Sequence, residues 1–462
     1  MKKTIFSLAL SFLVTLTCFG QMPNTLSPSD KIFGLSKFWQ EVNYNFVYLN
    51  KVDRKAWDST YKTLIGTIGN TPNDYEYFRE LQRFCAFLND GHTNVYMPSA
   101  IQDKVMTTMF GDYRLFIENI DGKAIIVRTN ASKKAEIPFG SEVIEVNGKP
   151  TPAFIAENVA PYISSSTDYV LKDWSYSRLL QGLEGETFHI RIKKPDGRII
   201  AQTLTHSRTK EEAVFPEFEP QRELMDFKWY DNKKVAYVSL NSFGDKKIDT
   251  LFWNKLPELY TAKAMVIDLR YNGGGSTTIG LEILKYLTAD TVLYGSKMRS
   301  RLHIPSFKAW GVFTEPKDTI GNEWSKKSLL NLLDLTYHDF DYTPRKNLLT
   351  EKRIVIPTVI LLGHNTASAA EDFLVYADNQ KHMIKMGENS FGSTGQPYQF
   401  DLPGGGSARV CTKQDMYPDG REFVGYGIKP DIEVKRSLQD YLEKKDPVME
   451  RALKYLQEQL KK

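Results

Sequence analysis

Cysteine is scarce: the 462 residues hold only Cys18, Cys85 and Cys411. That excludes a disulfide scaffold, because small stapled domains need dense, evenly paired cysteines. Histidine is scarce too, at seven, and neither a His-Glu-x-x-His nor a Cys-x-x-Cys spacing occurs; no metal site and no cofactor are expected. Charge of one sign is also missing. The formal net charge is +4, about +2 without Lys2 and Lys3, and the basic residues are scattered, so no phosphate track and no nucleic-acid partner are implied. Neither G-x-x-x-x-G-K nor G-x-G-x-x-G is present, which speaks against nucleotide binding. The only long apolar run, Ile5 to Leu16, is too short to span a bilayer.

That run follows Lys2 and Lys3 and precedes Thr17-Cys18-Phe19-Gly20, the layout of a secretory signal peptide over residues 1–20. Export to the periplasm or the outside is expected. Lipidation at Cys18 is the alternative, with Thr17 fitting a lipobox poorly.

The remaining length suits two to four domains. Residues 25–100 read as a helical domain: Ile32, Leu35, Phe38 and Trp39 mark one face, and Phe78, Leu81, Phe84, Cys85 and Leu88 another. Cys85 is thereby read as a core thiol. The domain ends in Asn89-Asp90-Gly91-His92-Thr93, turn chemistry that exposes His92. Residues 105–207 turn to short strands, and Ile137 to Gly148 resembles the middle of a PDZ domain, a fold that adds a peptide to its sheet edge; a small β-domain that only packs fits as well. A charged, proline-bearing linker is expected over 208–230. Strands and helices then alternate through 231–436, which predicts parallel pairing with crossover helices. An aromatic-rich insertion, 295–353, interrupts them and either caps the cleft or packs on itself. A C-terminal helical segment, 437–462, closes the chain.

Two segments carry chemistry. Asp268-Leu269-Arg270-Tyr271-Asn272-Gly273-Gly274-Gly275 ends an apolar strand in three glycines, where backbone amides can approach a ligand with no side chain between. Asn365-Thr366-Ala367-Ser368-Ala369-Ala370-Glu371 puts a hydroxyl at the start of a helix, whose free amides and dipole favour developing negative charge. Ser368 with Glu371 also fits a plain capping box. Arg270 and Asp268 read as structural, the arginine anchoring the glycine loop through a carboxylate.

Together with Asp90-Gly91-His92-Thr93, Phe391-Gly392 and Gly425-Tyr426-Gly427-Ile428-Lys429-Pro430-Asp431, these segments resemble the C-terminal processing (tail-specific) peptidase family, which also contains the tricorn core and the interphotoreceptor retinoid-binding protein repeats. The resemblance covers most of the chain after the leader. It implies an α/β fold with a crotonase-like ββα core, flanked by the helical N-terminal domain and the PDZ-like domain. It further implies a secreted serine peptidase acting on peptides or proteins through an acyl-enzyme. Ser368 would be the nucleophile, with Ala369 and Gly274 or Gly275 as oxyanion donors.

One departure bears on the base. The processing-peptidase branch places a lysine 25 residues after the nucleophile, and here that position is Ser393. Lys381 and Lys385 fall outside the motif. The tricorn-like branch takes a histidine from its N-terminal part instead, and His92 is the matching position. His364, four residues before Ser368, is the rival and is placed in the cleft with Ser393 and Thr394. Glu422 is the nearest carboxylate to the expected orienting position, with Asp90 another possibility. A non-catalytic carrier of apolar ligands or peptides on the same fold is the alternative function, and the oligomeric state stays open.

Overall fold

The computed structural model describes Met22 and residues 24–461. The expected signal peptide and Cys18 lie outside the described residues. No described helix is long and apolar enough to cross a membrane.

One sheet has six strands in the order 225–230, 235–240, 264–268, 358–362, 383–387, 432–433. The first pair is antiparallel and the rest are parallel. The two central strands, Ala264–Asp268 and Thr358–Leu362, are buried at every residue. A parallel strand covered on both faces needs such an unbroken apolar run. Side chains alternate between two layers: Met265 and Ile267 face helices Thr277–Leu284 and Ala369–Ala377, while Ala264 and Val266 face the C-terminal helix Pro447–Gln459 through Val448, Met449 and Leu456. Arg270 ties the layers together, binding Asp268 at 2.7 Å and Asp446, which caps the C-terminal helix, at 2.9 Å.

The expected linker is shorter than 208–230. Met225–Tyr230 is an edge strand of this sheet, because Met225, Phe227 and Trp229 recur at every second residue and pack on the core. Val214–Phe215 meanwhile pairs back onto strand Lys123–Asn130.

Helices Pro28–Asn45, Arg54–Thr67 and Asp74–Ala86 form the N-terminal region. Trp57 stacks on Phe84 with ring centroids 3.8 Å apart. Cys85 and Cys411 are buried free thiols, and burial pushes Cys85 up to about 12. The region joins the α/β part through a strand, Asn94–Tyr96, paired with Ser407–Cys411.

Residues 109–205 form an antiparallel β-sheet with helix Asp168–Ser177 against strand Tyr113–Ile120. Within 295–353, strand Lys297–Arg301 pairs with Gln414–Met416, and Phe307, Trp310 and Trp324 pack on one another with centroids 4.6–5.3 Å apart.

Candidate active site

Both chemistry-bearing segments leave the carboxyl ends of neighbouring parallel strands, which register Asp268 against Leu361. This is where an open α/β sheet presents its ligands. The loops are sewn together: Thr366 donates its hydroxyl to the Leu269 carbonyl at 2.9 Å, and the Ala367 amide donates to the Asn272 carbonyl at 3.0 Å. Asn272, fully buried, fixes the turn further by donating to the Leu240 carbonyl at 2.9 Å and accepting from the Gly274 amide at 2.9 Å.

Ser368 sits at φ 55°, ψ −121°, a region that side-chain-bearing residues rarely occupy. The amides of Glu371 and Asp372 donate to its carbonyl at 2.8 and 3.1 Å. The glutamate half of the capping arrangement also forms, with the Ser368 amide donating to Glu371 Oε2 at 3.1 Å. Gly274 lies directly against this serine. A Cβ there would stand 2.7 Å from Ser368 Cβ and 3.0 Å from the Ala369 amide nitrogen, at a φ of +98°. The Gly274 amide is engaged by Asn272, and Ala369, whose amide lies beside Gly274, is the first residue of the helix.

Glu371 does more than cap. Fully buried, it accepts four hydrogen bonds: from the Ser390 hydroxyl at 2.6 Å, the Gly392 amide at 2.8 Å, the Ser368 amide at 3.1 Å and the Ser393 amide at 3.2 Å. Burial pushes its carboxyl up, to about 8, and the four donors pull the other way. Glu371 thus locks the serine's backbone to the loop 390–393. Sequence reading saw only its local capping role, since nothing at i+3 announces partners twenty residues on.

His92 reaches the same loop from the N-terminal region. The Asp-Gly-His-Thr motif explains itself in space. Thr93 donates its hydroxyl to Asp90 at 2.6 Å and accepts the Cys411 amide at 3.0 Å, so the turn is clamped to the α/β part. Gly91 packs so close that a Cβ would stand 2.8 Å from the Phe391 ring. The His92 Nδ1 then lies 2.6 Å from Ser393 Oγ, and the Ser393 carbonyl accepts the Ser368 amide at 3.2 Å. Burial, then the charges of Arg409 and Lys413, hold the imidazole down to about 4. At neutral pH the ring is uncharged and can accept a proton.

The other residues singled out from sequence separate. Glu422 is a correction: its two oxygens bind Lys51 at 2.9 Å and Gln414 at 2.9 Å, not the His92 ring, because the loop carrying it lies against the turn Leu49–Lys51. Asp90 spends its carboxylate on Thr93 and Ser166, beside the His92 backbone rather than the ring. His364 pairs its Nδ1 with Asp173 at 2.6 Å and stacks on Tyr169 at 4.5 Å, in the wall shared with the β-domain. Thr394 is buried and donates to Asp415 at 3.2 Å. Lys385 is held by Asp378 at 2.6 Å, and Lys413 by Asp415 at 2.9 Å. Among the described residues there is no group of side chains fit to hold a metal ion.

The β-domain closes the cleft. Tyr169 donates to the Ser390 carbonyl at 2.6 Å, Thr167 to the Phe391 carbonyl at 3.2 Å, and Trp174 packs against Phe391 at 5.4 Å. Sequence reading had no signal for these contacts.

The sequence profile of peptidase family S41 matches residues 234–434. The carboxyl-terminal-processing protease of Picosynechococcus sp. is 22% identical over 425 residues, spanning 91% of this chain and 87% of its own. The carboxy-terminal processing protease CtpA of Bacillus subtilis is 21% identical, over 88% of this chain and 69% of its own. Among solved structures, mature CPAF complexed with lactacystin superposes with a TM-score of 0.62 at 14% identity, covering 90% of this chain and 97% of that one.

Proposed function

Because residues 234–434 form a peptidase family S41 domain, which places the chain in the C-terminal processing peptidase family, we propose that it is an exported serine peptidase with Ser368 as nucleophile and His92 as general base. The observation that carries this is the meeting of His92 and the serine loop at Ser393, where the family's other branch would hold a lysine. In the proposed tautomer the neutral imidazole donates its Nδ1 proton to Ser393 Oγ and keeps its Nε2 lone pair for the Ser368 proton.

In the proposed reaction His92 takes the Ser368 proton as the serine oxygen bonds to the scissile carbonyl carbon. The carbonyl oxygen becomes an oxyanion, received by the Ala369 and Gly275 amides at the helix N-terminus. As the C–N bond breaks, His92 gives that proton to the departing amine, leaving an ester on Ser368. Water, deprotonated by His92, attacks the ester carbon; the bond to Ser368 breaks, His92 returns the proton to the serine oxygen, and the acid is released. Ser393 acts through His92 by fixing its tautomer and is a positioning residue. The substrate is a peptide or protein, and the 105–207 domain is read as PDZ-like, guiding it into the cleft.

The test is hydrolysis of a mixed peptide digest followed by mass spectrometry. Wild type is expected to cut and Ser368→Ala to leave every peptide intact. Equal cleavage by both proteins would remove Ser368 from the chemistry.

A further inference from the structure

A cavity of about 560 Å³ opens between the helical region, the β-domain and strand Ser407–Cys411, and its wall includes Gly91, the neighbour of His92. Three arginines line it, Arg79, Arg178 and Arg409, from three different parts of the chain. All three are half-buried. Among the described residues none has a carboxylate within ion-pair distance. Arg79 lies over the Tyr162 ring at 3.5 Å, Arg178 lies against Trp174 at 5.3 Å, and Arg409 donates to Asn94 at 2.8 Å and towards the Gly91 carbonyl at 3.5 Å. Glu76, whose charge Arg79 feels, is itself pushed up by burial and does not pair with it. Burial and the neighbouring Arg79 both depress the Arg178 guanidinium, as expected of like charges held together in a partly dry site.

Half-buried guanidinium groups usually sit on carboxylates, since an unpaired cation loses hydration with nothing in return. Three around one open cavity form a fork-rich surface suited to an anion. The cavity also ends at the candidate site: Arg409 touches Gly91, and Trp174 packs on Phe391, two residues before Ser393. We propose that this cavity is a subsite for a carboxylate of the substrate peptide, so that the enzyme selects acidic sequences. The inference rests on the peptidase reading for its substrate, but it can be tested by binding alone.

The probe is a set of blocked, C-terminally amidated octapeptides with one glutamate walked through the sequence, each beside its glutamine twin, and the glutamine twin as a free acid. Binding to full-length Ser368→Ala protein is followed by tryptophan fluorescence and by calorimetry. At one position the glutamate peptide is expected to bind at least about tenfold tighter than its twin, the size of effect a charged hydrogen-bonded pair supplies. Adding Arg178→Gln or Arg79→Gln should erase that preference, and Arg178→Lys should keep part of it. A gain confined to the free acid would make the chain terminus the source of the carboxylate. Equal binding of glutamate, glutamine and free-acid peptides would overturn the subsite. Selective binding with no cleavage by wild type would instead defeat the peptidase reading and leave the subsite standing.

Discussion

His92 and Ser393, 301 residues apart in the chain, meet at 2.6 Å between imidazole Nδ1 and hydroxyl. The contact joins the N-terminal helical region to the loop that also holds the Ser368 amide. Removing the hydroxyl tests its role. Ser393→Ala is expected to lower kcat by about 10–100-fold with KM little changed, as for a positioning group acting through a base. Ser393→Thr should restore part of the rate. A loss confined to KM would make Ser393 a substrate contact instead.

The pH profile reports on His92 directly. A base held down to about 4 must shed its proton before it can work, so kcat/KM should fall only as pH drops through about 4. An ordinary histidine would give an acid limb near pH 6.5. Stability follows the same shift. Above about 6.5 neither folded nor unfolded His92 is charged. Between about 6.5 and 4 the unfolded chain takes up a proton that the native site refuses, so stability declines as pH falls across that window, by up to about 3 kcal/mol. In His92→Gln that part of the decline should vanish, as read by denaturant melts at pH 7 and pH 4.5.

Ser368 occupies backbone space better suited to glycine. Ser368→Gly and Ser368→Ala should both be inactive, yet the glycine variant should be the more stable by about 1–2 kcal/mol, since only it relieves the strain. Equal urea midpoints would show that the conformation at φ 55° stores little energy.

Glu371 is the residue on which the site's geometry hangs. Glu371→Ala removes the acceptor of all four hydrogen bonds and leaves their donors without that partner. A loss of about 2–3 kcal/mol in stability and most of the activity is expected. Glu422→Gln, by contrast, touches a half-exposed ion pair with Lys51 and a hydrogen bond from Gln414, and should leave kcat/KM unchanged.

Much of this was legible in the chain because it is local. The buried run Ala264–Asp268 with its three glycines, and the serine opening helix Ala369–Ala377, announce themselves within ten residues. His92 was legible by its motif and by the serine at position 393. What stayed hidden depends on distant segments meeting: the four donors around Glu371, the clamp of Thr93 on Cys411, and the lean of Tyr169 and Trp174 on loop 390–393. Glu422 was misplaced as the orienter for a related reason. Its spacing along the chain says nothing of the Lys51 ammonium that draws it away from His92.

The central claim, a Ser368 nucleophile served by His92, is tested most directly by labelling with a fluorophosphonate probe. Wild type, Ser368→Ala, His92→Ala and His364→Ala are treated side by side and read by in-gel fluorescence. Label on wild type and His364→Ala, none on Ser368→Ala, and a strongly slowed reaction for His92→Ala are the results expected. Label persisting on Ser368→Ala, or wild-type labelling of His92→Ala with loss in His364→Ala, would contradict the account.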